Sequence, residues 1–455
     1  MKAEYQTALV LGLGVSGEAA AELLLAEGAC VTVVDADDRD ELQDRAMGLR
    51  EMGADVRLGA GALPDGPFAV CVTSPGIASA SGWIRDIEAR GTPVISELEL
   101  GASRCASSLL AVTGTNGKST FVKFCGSALE AAGIPAVVAG NYGYPLCRAV
   151  REVPDAAWVV AEVSSFQLEH APLFHPRVGV LLNIQADHLD RHGTLAEYRR
   201  LKFSLFSRQG SSDVAIVPLE ECSAVRAFST GDPSWLTFGR LDDADYRYAG
   251  GRVEWCEGGA QSVSVRESFF DNDVSGVAAA AAVAALRRCG VDADRIESSF
   301  RSFRPLPHRM EPVAVVNGVR FVNDSKATNL AAMAAGVRMA GGPVHLIAGG
   351  ILKESDLKSV KEVLVSCVKG VYLIGESLET MLEAWHDAVT CRACGRLDVA
   401  LRDAGSTAER GDVVLLSPGC ASFDQFVSYE DRGNQFIRLV RAHAADEEAG
   451  GGESR

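Results

Sequence analysis

The chain has 455 residues, too many for one ordinary domain and enough for about three. An apolar share of 47% and a charged share of 23% are those of a globular protein with a substantial core. The formal net charge of −16 excludes a general nucleic-acid binder, which needs a basic face, but leaves room for a small anionic substrate held by a few local cations. No apolar run is long enough to cross a membrane, and the stretch before the first strand-like run leaves no room for a signal peptide. The 12 cysteines, many inside apolar runs (Cys30, Cys71, Cys125, Cys367), are those expected of a reduced, cytoplasmic protein.

Strand-like runs alternate with helical stretches almost throughout, which predicts an α/β fold of parallel sheets covered by helices. The first run, Ala8-Leu9-Val10-Leu11, leads into Gly12-Leu13-Gly14-Val15-Ser16-Gly17, and the next, Val31-Thr32-Val33-Val34, ends at Asp35. Glycines in this spacing after a strand place a diphosphate at a helix N-terminus, with the acid near a ribose or base. An NAD(P)-dependent oxidoreductase and a protein that holds a UDP-linked ligand satisfy the pattern equally. Runs at Ala69-Val70-Cys71-Val72 and Thr92-Pro93-Val94-Ile95-Ser96 complete the segment, and Thr73-Ser74-Pro75-Gly76-Ile77 forms a strand-end loop facing the same ligand.

A second segment opens with Leu109-Leu110-Ala111-Val112, followed by Thr113-Gly114-Thr115-Asn116-Gly117-Lys118-Ser119-Thr120 and a helical pattern of Phe121, Phe124, Cys125, Ala128 and Leu129. Glycines let successive backbone N–H groups converge on phosphate oxygens at a helix N-terminus. Lys118 supplies a point charge for the β/γ-phosphates and the Ser119 hydroxyl a ligand for Mg²⁺. The match is to the second half of the usual pattern, because Val112 stands where an earlier glycine is expected.

Trp158-Val159-Val160-Ala161-Glu162 puts a carboxylate at the C-terminal end of a buried strand, costly unless it is paired or bound to a cation. The following strand ends at Asn183 and is succeeded by Asp187-His188, a second candidate source of hard-metal ligands. Thr194-Leu195-Ala196-Glu197 is a capping box starting a helix on which Tyr198 and Lys202 share a face. Taken alone, Lys202 reads as a solvated helix lysine.

Residues 213–268 look irregular and β-rich, and an alanine-rich helix follows from about Asp273 to Arg288, stopped by Gly290. The semi-rigid Pro305-Leu306-Pro307 marks a domain boundary. A third α/β segment contains the runs Val319–Val322, Val344–Ile347, Val371–Ile374 and Val413–Leu416. The polar, glycine-rich tail from about 444 is expected to be disordered. Cys391 and Cys394 form a C-x-x-C with no second pair at zinc spacing and no redox-motif context, so a structural role is expected.

Together these motifs resemble the Mur ligase family, in the family's order and over nearly the whole chain. The resemblance rests on Gly12 to Gly17, Ser74-Pro75-Gly76, the phosphate loop, Gly140-Asn141-Tyr142-Gly143, Glu162 to Gln167, Asp187-His188 and Tyr198 to Lys202. It continues through Pro307-His308-Arg309, Asn323-Asp324-Ser325-Lys326-Ala327-Thr328-Asn329 and Ser417 to Phe426. The last two are closest to the members that add D-glutamate to UDP-N-acetylmuramoyl-L-alanine.

What the resemblance implies is a monomeric, ATP- and Mg²⁺-dependent amide-forming ligase with two metal ions. Its three domains would be a Rossmann-like UDP-substrate domain (1–98), a central phosphate-loop ATPase domain (99–306) and a Rossmann-like amino-acid-binding domain (307–455). The resemblance assigns Gly114, Thr115, Asn116, Gly117, Lys118, Ser119 and Thr120 to ATP, with Asn272, Arg309 and Asp324. Ser119, Glu162, His188 and a carbamylated Lys202 become metal ligands, and Lys118, Glu162, His188 and Lys202 the catalytic set. Val15, Ser16, Asp35, Ser74, Gly76, Asn141, Ser164, Gln167 and His188 would hold the UDP-sugar; His308, Lys326, Thr328, Ser422 and Phe423 would surround D-glutamate.

Three positions depart from the pattern. Ser275 replaces an asparagine near the adenine, Lys353 follows a double glycine without the usual Asp-Gly, and Tyr429 replaces a phenylalanine. Among other readings, a relative that adds another amino acid or glutamates a folate is nearest. The oxidoreductase leaves Lys118 and Ser119 idle, and a non-catalytic ATP switch leaves the residues after Pro307 unexplained.

Overall fold

The computed structural model describes residues 4–450 except 355, and for 446–450 the backbone alone. It contains three sheets. The first is parallel throughout, in the order β3-β2-β1-β4-β5, from β1 (Thr7–Leu11), β2 (Cys30–Val34), β3 (Asp55–Arg57), β4 (Val70–Thr73) and β5 (Val94–Ser96). Its strand order reverses beside β1, and open parallel sheets bind ligands at such a switch point, beyond the carboxyl ends of the strands. The Gly12 turn leaves β1 there, with Gly12 at φ 86°. A Cβ on Gly17 would lie 1.9 Å from the Gly12 carbonyl oxygen, so only glycine lets the helix Val15–Ala26 start this close to the strand.

The second sheet runs β14-β13-β12-β11-β10-β9-β6-β8-β7. Its strands are β6 (Ser108–Thr113), β7 (Ala136–Gly140), β8 (Trp158–Glu162), β9 (Val178–Leu181), β10 (Val214–Pro218), β11 (Ser234–Gly239), β12 (Tyr246–Ala249), β13 (Arg252–Trp255) and β14 (Gln261–Ser264). Strands β6 to β12 pair in parallel, and β12-β13-β14 add an antiparallel edge across the region expected to be β-rich. β6, flanked by β8 and β9, is fully buried from Leu109 to Thr113, and the helix Lys118–Ala131 buries Phe121, Val122, Phe124 and Leu129 beneath it. Phe124 stacks on Phe300 at 4.5 Å. Burial of each such side chain contributes about 1.5–3 kcal/mol, which anchors the turn between strand and helix.

The third sheet runs β15-β16-β20-β17-β18-β19, from β15 (Glu311–Val316), β16 (Val319–Asn323), β17 (Val344–Gly349), β18 (Val368–Ile374), β19 (Cys391–Gly395) and β20 (Val413–Leu416). It is parallel except for the β15–β16 hairpin, whose turn residues Asn317 (φ 51°) and Gly318 (φ 84°) suit a two-residue connection. The α/β rhythm of the sequence did not reveal β15, since its alternation is interrupted by Pro312 and a register shift.

The first two sheets belong to one compact unit; the third belongs to a second unit, which also takes up residues 266–276. The alanine-rich helix spans Ser275–Arg288, and Gly290 follows it at φ 89°. The final helix, Tyr429–Gly450, is held by buried Phe436 and Val440 and continues past the point from which a disordered tail was expected. Residues 451–455 of that expected tail lie outside the described residues. All 12 cysteines are free; Cys71 and Cys125 are buried as expected, but Cys30, at the start of β2, is exposed. No described helix is long and apolar enough to cross a membrane.

Gly17→Ala should destabilise the first unit by about 1–3 kcal/mol through this backbone clash. Urea denaturation followed by circular dichroism measures it; an unchanged midpoint would refute the close-approach account.

Candidate functional site

Chemistry-bearing side chains gather at the carboxyl ends of β6, β8 and β9. Beyond β6 the chain turns through Gly114 (φ 151°) and Gly117 (φ 87°), and Gly117 opens the helix Lys118–Ala131 without a side-chain cap. The loop is clamped from the end of β9: Thr115 N–H donates to the Asn183 carbonyl at 3.0 Å, and Asn116 N–H to Asn183 Oδ1 at 2.9 Å. Asn183 Nδ2 returns a bond to the Asn116 carbonyl at 3.0 Å. The Thr115 hydroxyl donates to the Gln185 carbonyl and accepts from Gln185 N–H, while Asn116 Nδ2 donates to Gln185 Oε1 at 3.0 Å. Sequence reasoning did not single out Asn183 and Gln185; the available signal was two amide side chains just past a buried strand adjoining the glycine loop.

Two amines converge on one carbonyl. Lys118 Nζ donates to the carbonyls of Gly114 (2.8 Å) and Thr115 (2.9 Å), and Lys202 Nζ also donates to Gly114 at 2.8 Å. Lys202 is 1% exposed, correcting its expected place on a solvated helix face, and its amine lies 4.4 Å from the Tyr198 ring centroid. Burial, reinforced by the Lys118 charge and opposed by Asp187 and Glu162, holds its pKa well below the ordinary 10.5.

Glu162 ends β8 and is 2% exposed. Its Oε1 accepts from Asn141 Nδ2 at 2.7 Å; its buried Oε2 accepts no hydrogen bond among the described residues. Asn141 N–H also donates to the Glu162 carbonyl at 2.9 Å, and Gly140 is required there, since its Cβ would meet that oxygen at 2.2 Å. The Gly140-Asn141 motif thus positions Glu162. His188 sits in a left-handed conformation (φ 54°), its N–H donating to Asp187 Oδ1 and its ring edge-on to Phe166 at 4.8 Å. Such backbone strain concentrates at functional sites. Ser119 is buried in the first turn of its helix, and Thr120 follows, half-buried.

A divalent cation fits this donor set only in part. Among the described residues no three His, Cys, Asp or Glu side chains group closely enough to hold one. The orphaned Glu162 Oε2 is nonetheless the kind of buried oxygen a cation satisfies.

In the first sheet, Asp35 Oδ2 accepts from Leu13 N–H at 2.6 Å and Oδ1 from Asp37 N–H at 2.9 Å, so the acid shapes the glycine turn. The Ser74 hydroxyl donates to the Gly12 carbonyl at 2.9 Å, bringing the Ser74-Pro75-Gly76 loop beside that turn. Val15 is 47% exposed and Ser16 half-buried at the start of the helix. Ser164 and Gln167 form a capping box at Ser165–Leu168, which accounts for both locally.

In the second unit, His308 (φ 60°) is buried, its ring nitrogen Nδ1 2.9 Å from Asn323 Nδ2. Asp324 Oδ1 accepts from Met310 N–H at 3.1 Å and Oδ2 from the Ser417 hydroxyl at 2.8 Å. Lys326 Nζ lies 3.8 Å from the Tyr429 ring centroid. Arg432, fully buried, joins the Asp324–Asn329 loop to the Ser417–Phe426 loop by donating to the carbonyls of Ser325 (2.8 Å) and Cys420 (3.1 Å). Ser422 is buried, Thr328 and Arg309 are half-buried, Phe423 is 71% exposed and Lys353 exposed. Asn272 caps the turn into the alanine-rich helix, accepting from Val274 and Ser275 N–H and donating to the Ser275 hydroxyl at 2.7 Å.

A glycine loop opening a helix, a lysine pair of which Lys202 is buried, and a buried acid at the adjoining strand end define a phosphate-loop α/β protein with a further polar centre in its last sheet. Residues 6–96 match the family described as "Mur ligase MurD-like, N-terminal domain", 112–274 "Mur ligase middle domain" and 308–420 "Mur ligase, glutamate ligase domain". The chain is 38% identical over 452 residues to a UDP-N-acetylmuramoylalanine--D-glutamate ligase from Acidobacterium capsulatum, covering 97% of this chain and 98% of that one. It is also 38% identical to the ligase of that name from Desulfotalea psychrophila, covering 96% of each. The fold is shared with the MurF ligase from Thermotoga maritima in complex with ADP, at 15% identity, TM-score 0.63, and 92% and 95% coverage of the two chains. The chain belongs to the Mur ligase family.

Burial pushes the Asp324 carboxyl up to about 7 from its ordinary 3.8. The folded state then holds this proton more tightly than the unfolded state, so its contribution is present below pH 3.8 and lost as pH rises to about 7. Asp324→Asn should lack this loss. Denaturant unfolding across that range should show the variant gaining on the wild type; a constant difference would contradict the assignment.

Proposed function

We propose that the chain is an ATP-dependent ligase that adds D-glutamate to UDP-N-acetylmuramoyl-L-alanine, acting as a cytoplasmic monomer in peptidoglycan precursor synthesis. Near-full-length identity with relatives of that name supports the substrates. The observation that carries the chemistry is the meeting of Lys118 and Lys202 at the Gly114 carbonyl, with Glu162, whose Oε2 is orphaned, acting on the Lys202 charge. The proposed domains are 1–98, 99–306 and 307–455, and each range contains one of the three sheets, which supports the division.

A carboxylate is a poor acyl donor because its leaving group would be oxide. In the proposed reaction the terminal carboxylate oxygen of the UDP-sugar acceptor bonds to the γ-phosphorus of ATP as the bond to ADP breaks, giving an acyl phosphate. The amine of D-glutamate then attacks the acyl carbon, phosphate leaves, and the amine proton is released. Lys118 and the loop N–H groups face the charge that moves with the phosphoryl group. ATP also draws on Gly114 to Thr120, Asn272, Arg309 and Asp324. The UDP-sugar occupies Val15, Ser16, Asp35, Ser74 and Gly76, reaching Asn141, Ser164, Gln167 and His188. D-Glutamate is held by His308, Lys326, Thr328, Ser422 and Phe423.

Ser119, Glu162, His188 and Lys202 are the residues that would hold two Mg²⁺ ions, which when bound neutralise phosphate charge. Lys202 would first have to exchange a cation for an anion. The neutral amine is the form that adds to carbon dioxide, and burial shifts Lys202 toward it: nitrogen bonds to carbon, one amine proton is released, and a carbamate results.

Phosphate release from ATP, with UDP-N-acetylmuramoyl-L-alanine, magnesium and a panel of amino acids, tests the reading. Release should depend on D-glutamate, and Lys118→Ala should lower kcat at least about a hundredfold while leaving the fold intact. Release with another amino acid alone, or normal turnover by Lys118→Ala, would overturn it. Lys202→Ala should regain part of its activity with added short carboxylic acids; absence of rescue would remove the carbamate from the account.

A further inference from the structure

We infer that Arg191 is a positioning residue that couples the acceptor loop of the first sheet to the His188 turn of the second. The inference rests on the proposed assignment of the Ser74–Ile77 loop to the nucleotide-sugar. Arg191 lies in the short helix Leu189–His192, for which His188 is the N-cap. Its guanidinium donates to two carbonyls of the acceptor loop, Nη1 to Pro75 and Nη2 to Ile77, each at 2.9 Å. On its other side it forms a forked pair with Glu169, Nε to Oε1 at 3.1 Å and Nη2 to Oε2 at 2.8 Å.

Both members of the pair are largely removed from water, with side-chain exposures of 14% and 10%. A forked arginine–carboxylate pair fixes the plane of the guanidinium as well as its place. The Phe166 ring packs against the guanidinium, its centroid 4.4 Å away, and meets the His188 ring edge-on at 4.8 Å. Glu169 is held in turn by the Ser79 hydroxyl of the first sheet's loop region and lies 3.4 Å from His192 Nδ1. His192 Nε2 closes the network against the Ser165 hydroxyl at 3.0 Å.

The acceptor loop is itself fixed to the glycine turn by the Ser74 hydroxyl. One planar cation therefore sets the spacing between the turn expected to hold the diphosphate and the histidine expected to face the reacting carboxylate. Lysine cannot reproduce this, because a single ammonium lacks the planar fork needed to meet two carbonyls and both carboxylate oxygens. Misplacing a reacting group by about 1 Å costs up to roughly a hundredfold in rate. Here the error would fall on the acceptor loop and the His188 turn and not on the nucleotide loop, since Lys118 and its loop are clamped independently by Asn183 and Gln185.

The test compares Arg191→Lys and Glu169→Gln with the wild type in steady-state phosphate release, alongside equilibrium binding of ADP and thermal unfolding. The wild type must first show D-glutamate-dependent release; if it does not, the proposed function fails and Arg191 is not at issue. Given that activity, both variants should raise the acceptor KM or lower kcat by roughly tenfold to a hundredfold, with ATP KM and ADP affinity unchanged. The double variant should lose little more than either single one. Equal losses in acceptor and ATP parameters, additive losses, or unchanged acceptor kinetics in a folded variant would each overturn the coupling role.

Discussion

The first unit depends on keeping two lysine amines on one backbone carbonyl, with Lys202 fully buried and Lys118 half-buried. Like charges at such a spacing repel, and burial alone disfavours an ammonium by far more than a surface contact could offset. Lys202 resolves the conflict by binding its proton weakly, and Glu162 and Asp187 offset part of the remaining field. The same arrangement leaves Glu162 with an unsatisfied oxygen. Under the proposed function an anion would face Lys118 and a cation would meet Glu162. The Gly114 carbonyl holds both amines in place.

Around that centre the backbone is arranged by close approaches that tolerate no side chain. Gly17 admits the Gly12 carbonyl and Gly140 the Glu162 carbonyl, so motifs that read as flexible glycine turns are tightly packed. The amide side chains of Asn141, Asn183 and Asn116 then convert backbone position into side-chain position through directed hydrogen bonds. Each lies at or near the carboxyl end of a parallel strand, where the strand's own ladder ends and its polar groups need new partners.

The sheets and the glycine loops were legible in the sequence because apolar runs and positive-φ glycines report local constraints. Glu162 was legible because a carboxylate ending a buried strand breaks the pattern of its neighbours. Lys202 was not, since helical spacing says which residues share a face but not whether that face meets solvent or another sheet. Asn183 and Gln185 were hidden for a similar reason: their partners lie at Thr115 and Asn116, far away in sequence. The Arg191 latch joins residues of two sheets, and nothing local marks it. Asp35, Ser164 and Gln167 carry hydrogen bonds that motif spacing does not state: Asp35 ties the end of β2 to the glycine turn, and Ser164 and Gln167 close a capping box. The final helix outran its polar composition because Phe436 and Val440 supply burial that composition averages away.

Two of the three departures from the family pattern, Ser275 and Tyr429, are absorbed by the same local satisfaction. Ser275 lacks the reach of an asparagine, yet its hydroxyl donates to the Phe269 carbonyl at 2.9 Å and accepts from Asn272, so the turn into the alanine-rich helix closes without an unpaired group. At Tyr429 the added hydroxyl leaves the ring itself available, and the Lys326 ammonium rests over that ring. The Tyr429 carbonyl accepts from the Ser325 hydroxyl at 2.8 Å, and Arg432 reaches that same hydroxyl through Nε at 3.0 Å. Backbone groups therefore carry the connections that hold the Asp324–Asn329 loop, and aromatic identity at 429 is free to vary while the ring plane and the lysine above it are retained. A polar replacement is tolerated where it can be satisfied within its own turn, as the Ser275 hydroxyl is by Phe269 and Asn272.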